Sequence, residues 1–262
     1  MKSSIRSSLV IPAPDGECPG FFCASLRSNR ALLALALRRA TLLVVGTTIL
    51  LGITSCAGPG GGSGARLELF NGRDLTGWKH VLADPSVSRE KVWSVRDGVI
   101  VCQGEPVGFL YTEREFTNFR LEVEYRWPPG AKPGNSGIFS RVNDLSRAIP
   151  RCVEVQLMHG SAGDVLTLQG MKLGAEQPRY FHVAKHAVAG DIDGVKKTQD
   201  AEAAPGEWNR VEIQAQGGSY TVWVNGQKVN EAVGVERQRG PIGLQSEGGE
   251  IHFRRVVITP LP

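Results

Sequence analysis

The sequence predicts an all-β, antiparallel sandwich for most of this 262-residue chain. Three observations predict it: period-two alternation in segment after segment beyond residue 66, Asn-Gly, Asp-Gly and Gly-Gly turns between those segments, and no long amphipathic helical pattern. The 32 glycines and 15 prolines also favour short strands joined by many turns.

The first 55 residues stand apart. "RRATLLVVGTTILLGITSC" runs from basic residues through an apolar stretch to small residues and a cysteine, the order of a bacterial export signal. The apolar stretch 40–53 is broken by Gly46, Thr47, Thr48 and Gly52, which suits a signal better than a membrane span. "ITSC" resembles a lipoprotein cleavage site. The resemblance implies cleavage before Cys56, lipid on Cys56 and a lipid-anchored protein of the bacterial cell envelope, periplasmic or at the surface. An uncleaved anchor helix is the alternative. Residues 1 to about 30 precede the signal proper, as an early start codon would leave them. The chain therefore divides into an export signal (1–55), a flexible Gly/Ser tether (56–65) and a β-sandwich domain (66–262).

Removing residues 1–55 takes six of the 30 Lys/Arg and two of the 26 Asp/Glu, leaving 24 of each. The basicity belongs to the signal, so nucleic acid is not an expected partner. Oligomeric state is not legible. Of five cysteines, Cys18 and Cys23 leave with the signal and Cys56 takes the lipid. Cys102 and Cys152 remain, either paired or as buried thiols; a catalytic cysteine comes last, since neither sits in a nucleophile setting.

From Leu67, "FNGRDLTGW" supplies an Asn-Gly turn and "VWSVRDGVIVCQG" two short strands about an Asp-Gly turn. In "FRLEVEYRW", Phe119, Leu121, Val123 and Tyr125 alternate with Arg120, Glu122, Glu124 and Arg126. "SGIFSRV" and "CVEVQLM" follow as strands. In the second, Val153, Val155 and Leu157 share one face, and Glu154 and Gln156 sit roughly 7 Å apart on the other. That polar face meets either water or a pocket. Residues 165–204 lack periodicity and read as a long excursion over the sheet. "WNRVEIQAQGGSYTVWVNGQKVN" gives two or three more strands, and "GPIGLQ" and "IHFRRVVITPL" close a count of roughly ten to a dozen.

Taken in order, "LFNGRDLTGW", "WSVRDGVIVCQGEPVGFLYTEREFTNFRLEVEYRW", "GNSGIFSRV", "EVQLM", "AGD", "GEWNRVEI", "VNGQKVN" and "GLQSEGGEIHFRRVVI" resemble the 3-keto-disaccharide hydrolase family over about residues 66–262. The resemblance implies a concanavalin-like jelly roll of two antiparallel sheets with a concave face. It also implies cleavage of glycosidic bonds in sugars already oxidised at C3. The chain departs from the pattern in carrying Arg255 where Asn is common. It also has Leu157, Met158 and His159 where many members place an aspartate, for which Asp164 is the natural substitute.

A ketone at C3 acidifies the C2 proton, and the C1–O bond then stands beta to the carbanion. Elimination followed by hydration needs a base, an oxyanion stabiliser and a proton donor. Glu154 is the expected base, Arg141 the stabiliser, and Asp164, His159 or water the donor. Gln156, Asn135, Ser136, Gln245, Glu247 and Trp208 are the expected sugar contacts. His182 and His186 are weaker candidates, and Trp223 reads as core. No metal motif or phosphate loop is present in the sequence, so no cofactor is expected. A divalent ion among Glu154, His159 and Asp164 is the minor alternative. Two rival readings stay open: a non-catalytic carbohydrate-binding module, and an ordinary glycosidase using Glu154 and Asp164.

Overall fold

The computed structural model describes residues 64–262. The export signal, Cys18, Cys23, Cys56 and most of the tether lie outside the described residues. Sixteen strands and one short helix follow in order: β1 (Leu67–Glu68), β2 (Trp78–Leu82), α1 (Arg89–Val92), β3 (Trp93–Arg96), β4 (Val99–Cys102), β5 (Gly108–Phe116), β6 (Phe119–Arg126), β7 (Gly137–Ser140), β8 (Val153–Gln156), β9 (Val165–Thr167), β10 (Tyr180–His186), β11 (Gly190–Val195), β12 (Asn209–Gln216), β13 (Ser219–Val224), β14 (Gln227–Ala232), β15 (Gly240–Ser246) and β16 (Ile251–Pro260).

They form two eight-stranded antiparallel sheets, a jelly-roll sandwich. The first has the order β14-β13-β12-β6-β16-β4-β3, with β1 also on β16; the second has the order β10-β11-β9-β8-β7-β15-β5-β2. The alternation drives this arrangement. In β6, Phe119, Leu121, Val123 and Tyr125 are fully buried, and they meet Val153, Val155 and Leu157 of the second sheet in one core. Two predicted turns are in place: Asp97 and Gly98 (φ 49° and 74°) join β3 to β4, and Asn225 and Gly226 (φ 50° and 80°) join β13 to β14. Two successive positive φ values are what a two-residue hairpin demands, and Asn/Asp-Gly tolerates them best.

Three expectations need correction or closure. Residues 165–204 are not an excursion over the sheet, since β9, β10 and β11 complete the second sheet. Strand β9 is only three residues long and buried on both faces, and a register shift between Val183 and His186 breaks β10, so neither shows period two. Trp223 is not core. Val222 and Val224 take the inward positions of β13, leaving Trp223 half-buried on the outer face of the first sheet with the Arg120 guanidinium 5.9 Å from its ring. Cys102 and Cys152 are free, buried thiols. Burial pushes the Cys102 thiol up to about 11 and Cys152 well above the usual thiol range.

Candidate functional site

Antiparallel register sets one row of side chains across the outer face of the second sheet. Tyr111 pairs with Gly243, Gly243 with Phe139, Phe139 with Glu154, Glu154 with Leu166, and Leu166 with Gly194. In the next row Phe109 pairs with Gln245, and Gly137 with Gln156. Glu154 crosses over Gly137: a Cβ added there would lie 2.2 Å from Glu154 Oε1. The last glycine of "GNSG" is thus the space that the carboxyl group occupies.

The neighbouring amides are held and aimed. Gln156 Oε1 accepts the main-chain N–H groups of Leu157 (3.0 Å) and Met158 (2.8 Å), which presents Nε2 as a donor. Gln245 Nε2 (2.7 Å) and Asn135 Nδ2 (2.9 Å) both donate to Glu247 Oε2, which presents their oxygens as acceptors. Five buried atoms on this face then have no hydrogen-bond partner: both oxygens of Glu154, Gln156 Nε2, Gln245 Oε1 and Asn135 Oδ1. Each such atom costs roughly 1–3 kcal/mol, so a cluster of five calls for a partner the polypeptide itself does not supply. Burial, reinforced by the negative charge of Glu247, holds the Glu154 carboxyl well above the usual carboxylate range.

The other expected site residues divide into neighbours and absentees. Ser136 lies beside the cluster but spends its hydroxyl on the main-chain oxygen of Gln245, 2.8 Å away. Asp164 is joined to Gln156 through the main chain, and its carboxylate accepts from Lys196 Nζ (2.9 Å) and the Lys197 N–H (2.8 Å). With both oxygens engaged, it is a charge partner of Lys196 and not the expected free acid.

His159 is engaged by Glu202. Its Nδ1 lies 3.0 Å from Glu202 Oε2, which also accepts the Gly160 N–H, while Glu202 Oε1 accepts from the Tyr125 hydroxyl and the Trp127 indole. Among the described residues no three of His, Cys, Asp and Glu gather as metal ligands.

Arg141 is not the partner of Glu154. Alternation from Gly137 and Phe139 would place it on the outer face, but its left-handed backbone (φ 53°) redirects the side chain. The guanidinium donates to the main-chain oxygens of Glu236 (2.7 Å), Gly217 (2.7 Å) and Thr117 (3.3 Å), and lies 5.0 Å from the Tyr220 ring. It ties four turns together. Trp208 belongs to the other sheet, just before β12, and the guanidinium groups of Arg254 (4.0 Å) and Arg126 (4.6 Å) cover its ring. His182 is likewise occupied, with Asp193 at 2.8 Å.

Sequence reasoning missed Gly137, Lys196 and Glu202. A glycine opposite a strand glutamine could have signalled the first; "VKKTQDAEAAPG" carries no pattern that marks the other two.

Fold and face together define a jelly-roll domain with a buried, unpartnered polar cluster on one sheet. Residues 66–259 match the model of the 3-keto-alpha-glucoside-1,2-lyase-like domain family, and the chain belongs to that family. A 3-keto-disaccharide hydrolase of Bacteroides thetaiotaomicron is 23% identical over 239 residues, covering 74% of this chain and 78% of that protein. Two crystal structures of Parabacteroides distasonis proteins assigned as glycosyl hydrolases share the fold. One has a TM-score of 0.53 at 22% identity, covering 75% of this chain and 94% of that one. The other has a TM-score of 0.52 at 24% identity, covering 75% and 100%. The family is one of glycosidase-type carbohydrate enzymes, and this chain is one of them.

Proposed function

We propose that this protein cleaves the glycosidic bond of 3-keto-glycosides by elimination and rehydration, with Glu154 as the proton-transferring group. The observation that carries the reading is the convergence of Glu154, Gln156, Gln245 and Asn135 with five unpartnered atoms in one buried cluster. A carboxyl group with raised proton affinity is suited to taking a proton from carbon. As Glu154 removes the C2 proton, the C2–H electrons form the enolate with C3, and Gln156 Nε2 donates to the enolate oxygen in place of Arg141. The enolate then collapses, C1=C2 forms and the C1–O bond breaks. The proton held by Glu154 passes to the leaving oxygen. Water adds its hydroxyl to C1 and a proton to C2, which completes hydrolysis. Gln245 Oε1 and Asn135 Oδ1 accept from sugar hydroxyls, and Glu247 keeps both amides aimed.

The substrate arrives already oxidised, and the protein acts in the cell envelope, anchored through Cys56. A second reading is favoured by one observation: Glu247 acts electrostatically on Glu154, as the second carboxylate of an ordinary glycosidase would. The test is a matched pair of disaccharides, one oxidised at C3 and one not, given to the purified protein. Cleavage of the oxidised member alone supports the proposal. Equal cleavage of both selects the two-carboxylate reading, and binding without cleavage selects a carbohydrate-binding module.

A further inference from the structure

The large hydrophobic side chains exposed among the described residues are Leu145 (44%), Val188 (40%) and Val233 (42%). They belong to different segments: the β7–β8 loop, the β10–β11 turn and the β14–β15 loop. Antiparallel pairing brings all three to one end of the sandwich, because β8, β11 and β15 all run in the same direction and start there. Hydrogen bonds tie these loops together. Gln169 Nε2 donates to the main-chain oxygens of Ile149 (3.2 Å) and Val188 (2.8 Å), and the Arg151 guanidinium pairs with Glu236 at 2.7 Å.

The same end carries a groove lined by Arg114, Arg237, Arg239, Phe116 and Leu261. Arg114 and Arg237 take part in no ion pair among the described residues, whereas Glu115, Asp144 and Glu236 here are each paired with an arginine. The chain also reaches the domain at this end, since the Gly64 N–H donates to the Pro260 oxygen at 2.8 Å. The site lies toward the other end, where Asn135 precedes β7 and Glu247 follows β15.

We propose that this end of the sandwich docks on an anionic lipid bilayer, with Leu145, Val188 and Val233 entering the interface, Arg114 and Arg237 meeting the headgroups, and the site facing away. The inference rests on the anchor reading of residues 40–56. Seven residues lie between Cys56 and Gly64, which makes eight residue-to-residue steps. Fully extended they span about 28 Å, and as a Gly-rich coil about 16 Å. A domain held this close is presented to the membrane by its tethered end. Three exposed apolar side chains and two arginines outside any ion pair, all brought to one end, match an interface where acyl chains and anionic headgroups adjoin.

The test installs a photo-crosslinking phenylalanine analogue at position 145 or 233 of the full chain, with position 132 at the opposite end as control. The chain is irradiated in bacterial membranes rich in phosphatidylglycerol. Phospholipid adducts at 145 and 233 but not at 132 are expected, with a severalfold lower yield when Arg114→Glu and Arg237→Glu are combined. A membrane-bound chain without adducts at 145 and 233, or with equal yield at 132, overturns the docking face while leaving the anchor in place. A yield indifferent to the two charge reversals overturns the headgroup contact, and a chain recovered wholly in solution overturns face and anchor together.

Discussion

Gly137→Ala is the smallest change that reaches the site. Its new methyl group would lie 2.2 Å from Glu154 Oε1 and 2.8 Å from Cδ and Cγ, whereas ordinary contact begins at 3.4 Å. The overlap exceeds 1 Å at the oxygen, and Gly137 has no left-handed backbone to add strain of its own. Overpacking of this kind costs about 1–3 kcal/mol, which lowers the melting temperature of a domain this size by roughly 3–10 °C. The carboxyl group must swing aside, and a misplacement of about 1 Å lowers turnover about 10²-fold. A double-mutant cycle isolates the contact. Glu154→Ala removes the three nearest atoms that the methyl group strikes, so Gly137→Ala in that background should be nearly neutral, with a coupling of about 1–3 kcal/mol. Thermal melting of the four proteins, with turnover of a 3-keto-disaccharide for those that retain Glu154, checks this. Equal destabilisation in both backgrounds, or full turnover by Gly137→Ala, would refute the placement of Glu154 over Gly137.

Three further variants give four expected outcomes. Glu154→Gln keeps the shape and lowers turnover by about 10² to 10⁴ with little change in sugar affinity, measured by steady-state kinetics and calorimetry. The same variant tests linkage. Above the ordinary carboxyl value of 4.5 the folded protein binds more protons than the unfolded chain, so stability present below that pH is lost as pH rises toward the folded-state value. Glu154→Gln should therefore melt higher than the wild type at neutral pH and show a flatter dependence, and a melting point that rises with pH only in the wild type would contradict the raised proton affinity. Arg141→Ala strands three main-chain oxygens and should cost about 3–5 kcal/mol, while turnover per folded molecule stays unchanged; a selective loss of turnover in a stable protein would return Arg141 to the chemistry. Glu202→Ala frees the His159–Gly160 turn next to the main-chain groups that hold Gln156, and should raise KM more than it lowers kcat in the same assay.

The amino-acid sequence determined by itself whatever depends on near neighbours. The alternation of β6 and β8 separates core residues from outward ones because successive side chains leave a strand on opposite faces. Asp97-Gly98 and Asn225-Gly226 close hairpins because few other pairs accept two positive φ values. For the same reason Glu154 and Gln156 were legible as one polar surface, and the order of short motifs identified the family. Tertiary structure decided which polar surface was which. Strands 90 residues apart bring Gln245 and Glu247 beside Gln156, yet Trp208 and Arg141, equally plausible in one dimension, go to the other sheet and to a knot of turns. A single left-handed residue moved Arg141, and no pattern in "SRV" announces it. The role of Glu202 appears only when a loop after β11 folds against the turn after β8. Periodicity is a property of a few consecutive residues, whereas convergence depends on sheet order and on isolated backbone angles set by distant packing.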